Sequence, residues 1–238
     1  MPTPTYTVRC TRHRKIAEGV FEFTLKKPEG FSFKAGQFVM FQVPLTEKPT
    51  DIQPRAFSIA SSPEEEELLF VAKIKEGGRA GRWISEALHE GSDVTLMGPL
   101  GNFLLDEKSD KPYLFLATCS GVAPLRSQII HALKAGDRRK MGLVFGVRAE
   151  ENIFWKREFD ELAKQYPNLS VHLPLSKPSP AWKGLTGHVQ DVVPQVITDV
   201  SQRSVYICGN PAMVKETKEV ALSTWGISKE NWHSEDYI

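Results

Sequence analysis

The chain has 238 residues, 41% apolar and 25% charged, enough for two ordinary domains with a core each. Thirty basic against 29 acidic residues leave a net charge of +1, and no apolar run approaches the ~18 residues of a membrane span, so neither nucleic acid nor membrane is an expected partner. Three cysteines, Cys10, Cys119 and Cys208, are too few and too scattered for a disulfide scaffold or a four-cysteine iron–sulfur cluster.

The first residues, Met1-Pro-Thr-Pro-Thr5, lack the basic and apolar blocks of a signal peptide, so a cytoplasmic protein is expected. Phe21, Phe23 and Leu25 alternate with Glu22, Thr24 and Lys26, the period of a half-buried strand. Further strands are predicted over Gly36–Val43, Arg55–Ile59, Leu68–Ile74 and Asp93–Met97, separated by Pro, Gly and acidic turns. Short strands at this spacing favour an antiparallel barrel or sandwich. One helix interrupts them, about Gly81 to His89, with Ile84, Ala87 and Leu88 on one face. The acidic run Glu64–Glu67 reads as a solvated turn.

After Asp106 the rhythm changes to strand–helix alternation, and the polar stretch Leu105–Pro112 is the natural boundary. Strands are predicted at Tyr113–Ala117, Met141–Val147, Leu169–Leu175, Val205–Cys208 and Trp232–Tyr237. Helices are expected at Pro124–Ala135, Trp155–Gln165, Val189–Val196 and Pro211–Thr224, with Pro124 opening the first. Five strands linked by helices imply a doubly wound parallel sheet that binds ligands beyond the carboxyl ends of its strands. The loop Thr118-Cys-Ser-Gly-Val-Ala123 is built of small residues and runs into a helix N-terminus, a combination suited to phosphate.

Four patterns fall in order: Arg55-Ala56-Phe57-Ser58, Gly98-Pro-Leu-Gly-Asn-Phe103, Ala117-Thr-Cys-Ser-Gly-Val-Ala-Pro124 and Tyr206-Ile-Cys-Gly-Asn-Pro-Ala-Met213. Together they resemble the ferredoxin–NADP reductase superfamily over essentially the whole chain. The resemblance implies an N-terminal antiparallel FAD-binding β-barrel (1–106) followed by a C-terminal doubly wound parallel α/β NAD(P)-binding domain (107–238).

By that resemblance Arg55 holds the flavin pyrophosphate, Phe57 packs on the flavin and Ser58 hydrogen-bonds near N5, the hydride-accepting atom. Phe57 stands where Tyr is commoner. The second flavin segment matches Gly78-Arg-Ala-Gly81 without the usual hydroxyl, which leaves the helix start at Gly78, Gly81, Arg82 and Trp83 as the contact and Arg79 or Arg82 as compensating charge. Val71, Ala72 and Lys73 match the strand whose backbone runs beside the flavin.

Thr118, Ser120, Gly121 and Pro124 match the nicotinamide loop, with Cys119 where Gly is usual; a positive φ there costs a residue with a Cβ. Cys208, Gly209 and Met213 match the Cys-Gly-x-x-x-Met signature near nicotinamide C4. Cys119 and Cys208 are candidates for a reversible disulfide that blocks the coenzyme. Ser234-Glu235-Asp-Tyr237 resembles the Glu-x-Tyr ending of ferredoxin reductases, which implies that Glu235 joins Ser58 and Cys208 in the catalytic set and Tyr237 covers the flavin. Arg148, Ser176, Lys177 and Lys183 are candidates for the adenosine end, and the choice between NADPH and NADH stays open. The basic stretches Arg12–Lys15 and Arg138–Lys140 are either docking sites for an acidic partner or solvated turns.

The implied activity is an FAD-dependent NAD(P)H oxidoreductase that exchanges hydride between nicotinamide and flavin and electrons with a separate acceptor: a ferredoxin, a flavodoxin or an oxygenase component. The rivals are a free-flavin reductase that releases reduced flavin and a non-catalytic subunit that senses flavin or nucleotide.

Overall fold

The computed structural model describes residues 3–75 and 77–236. They divide into two compact units: the first runs to Leu105 and includes Arg126–His131, and the second holds Asp106–Leu125 and the chain from Ala132 onward.

The first unit is a six-stranded antiparallel sheet of β1 (Thr5–Ala17), β2 (Val20–Lys26), β3 (Phe38–Leu45), β4 (Lys48–Ser58), β5 (Glu67–Lys73) and β6 (Asp93–Leu100), in the order β4-β3-β6-β1-β2-β5. The sheet curls into a half-barrel, because the chain leaving β4 bonds to β5 through the Ala60 amide and the Leu69 carbonyl, 2.8 Å apart. Inward-facing aromatics fill it: Phe23 stacks on Phe70 at 5.4 Å, and Phe41 lies 4.9 Å from Phe70 and 5.9 Å from Trp83. Such rings bury large areas and contribute about 0.5–1.5 kcal/mol per pair beyond burial.

Several expectations change here. The basic stretch Arg12–Lys15 is not a turn; it lies inside the long strand β1. Glu22 and Thr24 are buried rather than solvent-facing, because side chains of β1 lie against them. Glu22 accepts from Arg14 Nε at 2.8 Å, which offsets the cost of a buried carboxylate, and Thr24 pairs with Thr11 at 2.7 Å. The helix after β5 starts earlier, as α1 (Arg79–Arg82), and loosens into a π-helical turn over Trp83–Ala87; Trp83, Ile84 and Leu88 are buried but Ala87 is exposed. The acidic run is not merely solvated either, since Glu64 accepts from His131 and Glu65 from Arg126.

The second unit is a five-stranded parallel sheet ordered β11-β10-β7-β8-β9, from β7 (Tyr113–Thr118), β8 (Met141–Gly146), β9 (Leu169–His172), β10 (Ser204–Gly209) and β11 (Trp232–Asp236). Every residue of β8 and β10 is buried, the continuous apolar pattern of a sheet covered on both faces. The connecting helices are α2 (Val122–Lys134), α3 (Lys156–Gln165), α4 (Val189–Val196) and α5 (Pro211–Ser223). α2 begins two residues before Pro124, after a 3₁₀ turn at Cys119–Gly121, so Pro124 is its third residue. That position costs nothing, because the first four helical N–H groups lack intrahelical acceptors. β9 stops at His172, and Leu175 makes only isolated bridges to Val147 and Thr186. Among the basic stretch Arg138–Lys140, Arg139 is spent on packing: its guanidinium lies 4.2 Å over the Tyr113 ring and bonds Asp137. No helix among the described residues is long and apolar enough to cross a membrane.

Candidate functional site

The order of the parallel sheet creates its own ligand position. From β7 the chain builds outward through β8 and β9, then returns to add β10 and β11 on the other side. Loops leaving β7 and β10 therefore diverge, and the gap between them is where open α/β sheets bind ligands. The two loops are Thr118–Gly121 and Gly209–Asn210, both singled out by motif. They are locked together: Thr118 Oγ1 accepts from the Asn210 amide at 3.1 Å. A Cβ on Gly121 would lie 2.3 Å from the Cys208 carbonyl oxygen, and one on Gly209 would lie 2.3 Å from Thr118 Oγ1. Only glycine admits this approach. Asn210 caps α5, its side-chain oxygen accepting from Ala212 N at 2.9 Å, with Pro211 next in the helix. Asn210 was absent from the sequence-derived candidates, although Asn-Pro at a helix start is a recognisable cap signal.

Cys119 adopts φ +49°, the left-handed region where glycine is favoured. Cys119 and Cys208 are thiols, the former half-buried and the latter buried.

Two of the three expected catalytic residues meet in this unit. Cys208 and Glu235 are register partners on β10 and β11, and Ala117 is the partner of Cys208 on β7, which makes a row across the carboxyl ends of three strands. Adjacent strands lie about 4.8 Å apart. Two residues behind Glu235, His233 stacks on Tyr206 at 4.4 Å; burial holds the His233 imidazole below its usual value and pushes the Tyr206 phenol up to about 12. Met213 is buried on α5 beside Gly209. Tyr237 lies outside the described residues.

The segments expected at the adenosine end also come together. Lys177 N donates to the Arg148 carbonyl at 2.7 Å and Ser176 N to the Val147 carbonyl at 3.1 Å. The Arg148, Lys177 and Lys183 side chains are exposed and make no ion pair among the described residues. Glu150, close by in sequence, is engaged by Ser179 through hydroxyl (2.6 Å) and amide (3.0 Å), and the hydroxyl bond holds its carboxyl below the usual range.

In the first unit, Ser58 is the buried last residue of β4, and Phe57 lies against Phe41 at 5.0 Å and Phe23 at 6.3 Å. Ala56 is exposed. Arg55 bonds the Pro54 carbonyl and Gln53 Oε1, both at 2.8 Å, and makes no ion pair with another described residue, which leaves its charge to an anion. Arg79 and Arg82 are not available in this way: Arg79 bonds Asp51 and Arg82 pairs with Glu47. Their charge is instead balanced by Asp51 of β4 and by Glu47 just before it. A Cβ at Gly81 would lie 2.9 Å from the Lys75 carbonyl, which keeps the start of α1 close to the end of β5. Val71 and Ala72 are buried, Lys73 donates to the Glu18 carbonyl, and β5 is a sheet edge whose outer side pairs with no strand among the described residues. A strand edge that no described strand covers, and an arginine with no ion pair to another described residue, fit a ring with amide-like edges joined to a pyrophosphate.

Residues 10–104 match the oxidoreductase FAD-binding domain family and residues 115–219 the oxidoreductase NAD-binding domain family. Ferredoxin–NADP reductase B of Sorangium cellulosum is 33% identical over 98% of this chain and 97% of its own length. The reductase component of the naphthalene 1,2-dioxygenase system of Pseudomonas putida is 30% identical over 99% of this chain, which spans 66% of that protein. The crystal structure of an Amycolatopsis cytochrome P450 reductase superposes with a TM-score of 0.86 at 27% identity, covering 98% of this chain and 70% of that one. With the half-barrel, the parallel sheet and the four ordered motifs, these likenesses establish that the chain belongs to the ferredoxin–NADP reductase superfamily, as an FAD- and NAD(P)H-dependent oxidoreductase.

Proposed function

We propose that this protein takes hydride from NAD(P)H onto FAD and delivers the electrons to a separate small redox protein, a ferredoxin, a flavodoxin or an oxygenase component. The observation that carries the reading is the glycine cradle at the sheet's switch point, where Thr118, Gly121, Cys208 and Gly209 approach too closely for any side chain.

When bound, FAD supplies the chemistry, accepting an electron pair from nicotinamide and releasing electrons to the acceptor. The protein's part is alignment. Arg55 holds the pyrophosphate, with the main chain of Gly78, Gly81 and Trp83 at the start of α1 as its second support, Arg82 being held by Glu47. Phe57 and Ser58 line the flavin ring, Ser58 as hydrogen-bond donor, and the Val71–Lys73 edge supports it. On the nucleotide side, Thr118, Ser120, Gly121 and Pro124 receive the coenzyme's phosphates at a helix start. Cys208, Gly209 and Met213 border the nicotinamide, and Glu235 stands beside Cys208 to balance charge. Arg148, Ser176 and Lys177 serve the adenosine end, and two cations there with no ion pair to another described residue favour a 2′-phosphate, hence NADPH over NADH. The protein partner follows the names of the Sorangium and Pseudomonas relatives.

The test is an absorbance spectrum of purified protein, titrated anaerobically with NADPH and then NADH. A bound flavin band that bleaches first with NADPH is the expected result. Protein that binds no flavin and reduces none overturns the reading, whereas colourless protein that turns over added flavin points to release of reduced flavin.

A further inference from the structure

The turn Arg126–His131 of α2 belongs to the first unit, and its polar side chains are buried there. Arg126 is 6% exposed and Ser127 fully buried. Arg126 Nη1 donates to the Ala60 carbonyl at 2.7 Å, and the guanidinium spans both Glu65 oxygens at 3.1 and 3.2 Å. Ser127 Oγ donates to the Ser61 carbonyl at 2.7 Å. These two carbonyls follow Ser58 by two and three residues, in a segment that has left the β4 ladder. Its amides are already spoken for: Ile59 N bonds the Gln37 carbonyl at 3.0 Å and Ala60 N the Leu69 carbonyl at 2.8 Å. Ser61 Oγ takes the Leu69 amide at 3.1 Å, and Ile59 through Ser62 are wholly buried.

A buried guanidinium is a poor device for stability, since apolar residues of similar volume usually serve as well. Its fork does fix direction, and here it fixes a main-chain carbonyl. Adjacent residues of a helix point about 100° apart, so Arg126 and Ser127 grip consecutive carbonyls from different directions. We propose that Arg126 and Ser127 are positioning residues for Ser58, holding the end of β4 so that the Ser58 hydroxyl meets the flavin in productive geometry. The proposal rests on the reading of Ser58 given above.

The experiment is stopped-flow reduction of the flavin in the holoenzyme at saturating NAD(P)H, for Ser127→Ala and Arg126→Gln, each alone and with Ser58→Ala. A misplacement near 1 Å costs up to about a hundredfold in rate. Ser127→Ala, which barely changes volume, is expected to slow reduction about 3–10-fold and Arg126→Gln about tenfold or more, with the coenzyme Kd within about twofold of wild type. Once Ser58 is alanine, both second substitutions should change the rate by less than about twofold, because residues acting through one group are not additive. Wild-type rates in the single variants, or the same slowing with Ser58 absent, overturn the proposal. Should Arg126→Gln fail to fold, Ser127→Ala decides alone. Wild-type holoenzyme that NAD(P)H does not reduce would instead refute the functional reading itself.

Discussion

Gly121→Ala isolates the steric demand of the nucleotide loop. Gly121 does not have a positive φ, so its backbone would accept alanine and any cost comes from collision. The added Cβ would lie 2.3 Å from the Cys208 carbonyl oxygen, 2.5 Å from the Cys208 carbonyl carbon and 2.5 Å from Gly209 Cα. Ordinary contact begins at 3.4 Å, so the loop or the end of β10 must yield by about 1 Å. All three obstacles are main chain, and β10 is held by neighbours on both sides, leaving no flexible side chain to move. Overpacking costs about 1–3 kcal/mol in general, and backbone obstacles place this case near 3 kcal/mol. For a chain of this size that lowers Tm by roughly 6–12 °C. The shift would also open the cradle, so the Kd for NAD(P)H, measured by flavin-band perturbation, should rise about tenfold or more. Gly78→Ala is the internal control, since its Cβ would lie 3.2 Å from a single atom, the Lys75 carbonyl oxygen, and should cost less than about 1 kcal/mol. A Gly121→Ala protein that melts with wild type and binds coenzyme equally well would refute the argument.

Cys119→Gly works in the opposite direction. A Cβ in the left-handed region costs about 1–2 kcal/mol, offset by about 0.5–1 kcal/mol for glycine's freer unfolded chain. Differential scanning calorimetry should show Tm raised by roughly 1–4 °C, and a fall would mean that the thiol's packing outweighs the strain. Asp199 provides the pH test. The hydrogen bond from Arg203 Nε, 2.7 Å long, holds its carboxyl below the usual carboxylate range. A depressed folded value gives stability that is complete above the unfolded pKa of about 3.9 and is lost as pH falls through the folded one. Asp199→Asn should therefore be less stable than wild type at pH 7, with the gap narrowing by pH 3 in urea titrations. An equal gap at both pH values would contradict the assignment.

Local information in the chain was sufficient for much of the architecture. The apolar runs Leu114–Ala117, Leu143–Phe145 and Val205–Cys208 read as strands covered on both faces, and the Pro and Gly punctuation between them leaves room for one helix at a time. Motif order located Thr118, Gly121, Cys208 and Glu235 at strand ends, because the loops that carry ligands are short and compositionally distinct. What the tertiary structure decided is which of these groups are neighbours. Cys208 faces Glu235 because β11 joins β10 in one register, a choice made across 27 residues of chain. Glu22, read as solvent-facing from its alternation, is buried because β1 carries Arg14 to it. Arg79 and Arg82 could be taken for phosphate ligands until Asp51 and Glu47 were seen beside them. Arg126 lies in the helix that follows the nucleotide loop, yet its partners, Ala60 and Glu65, are more than 60 residues away. Periodicity reports how much of a residue is buried; only the pairing of distant strands and helices determines the group against which it is buried.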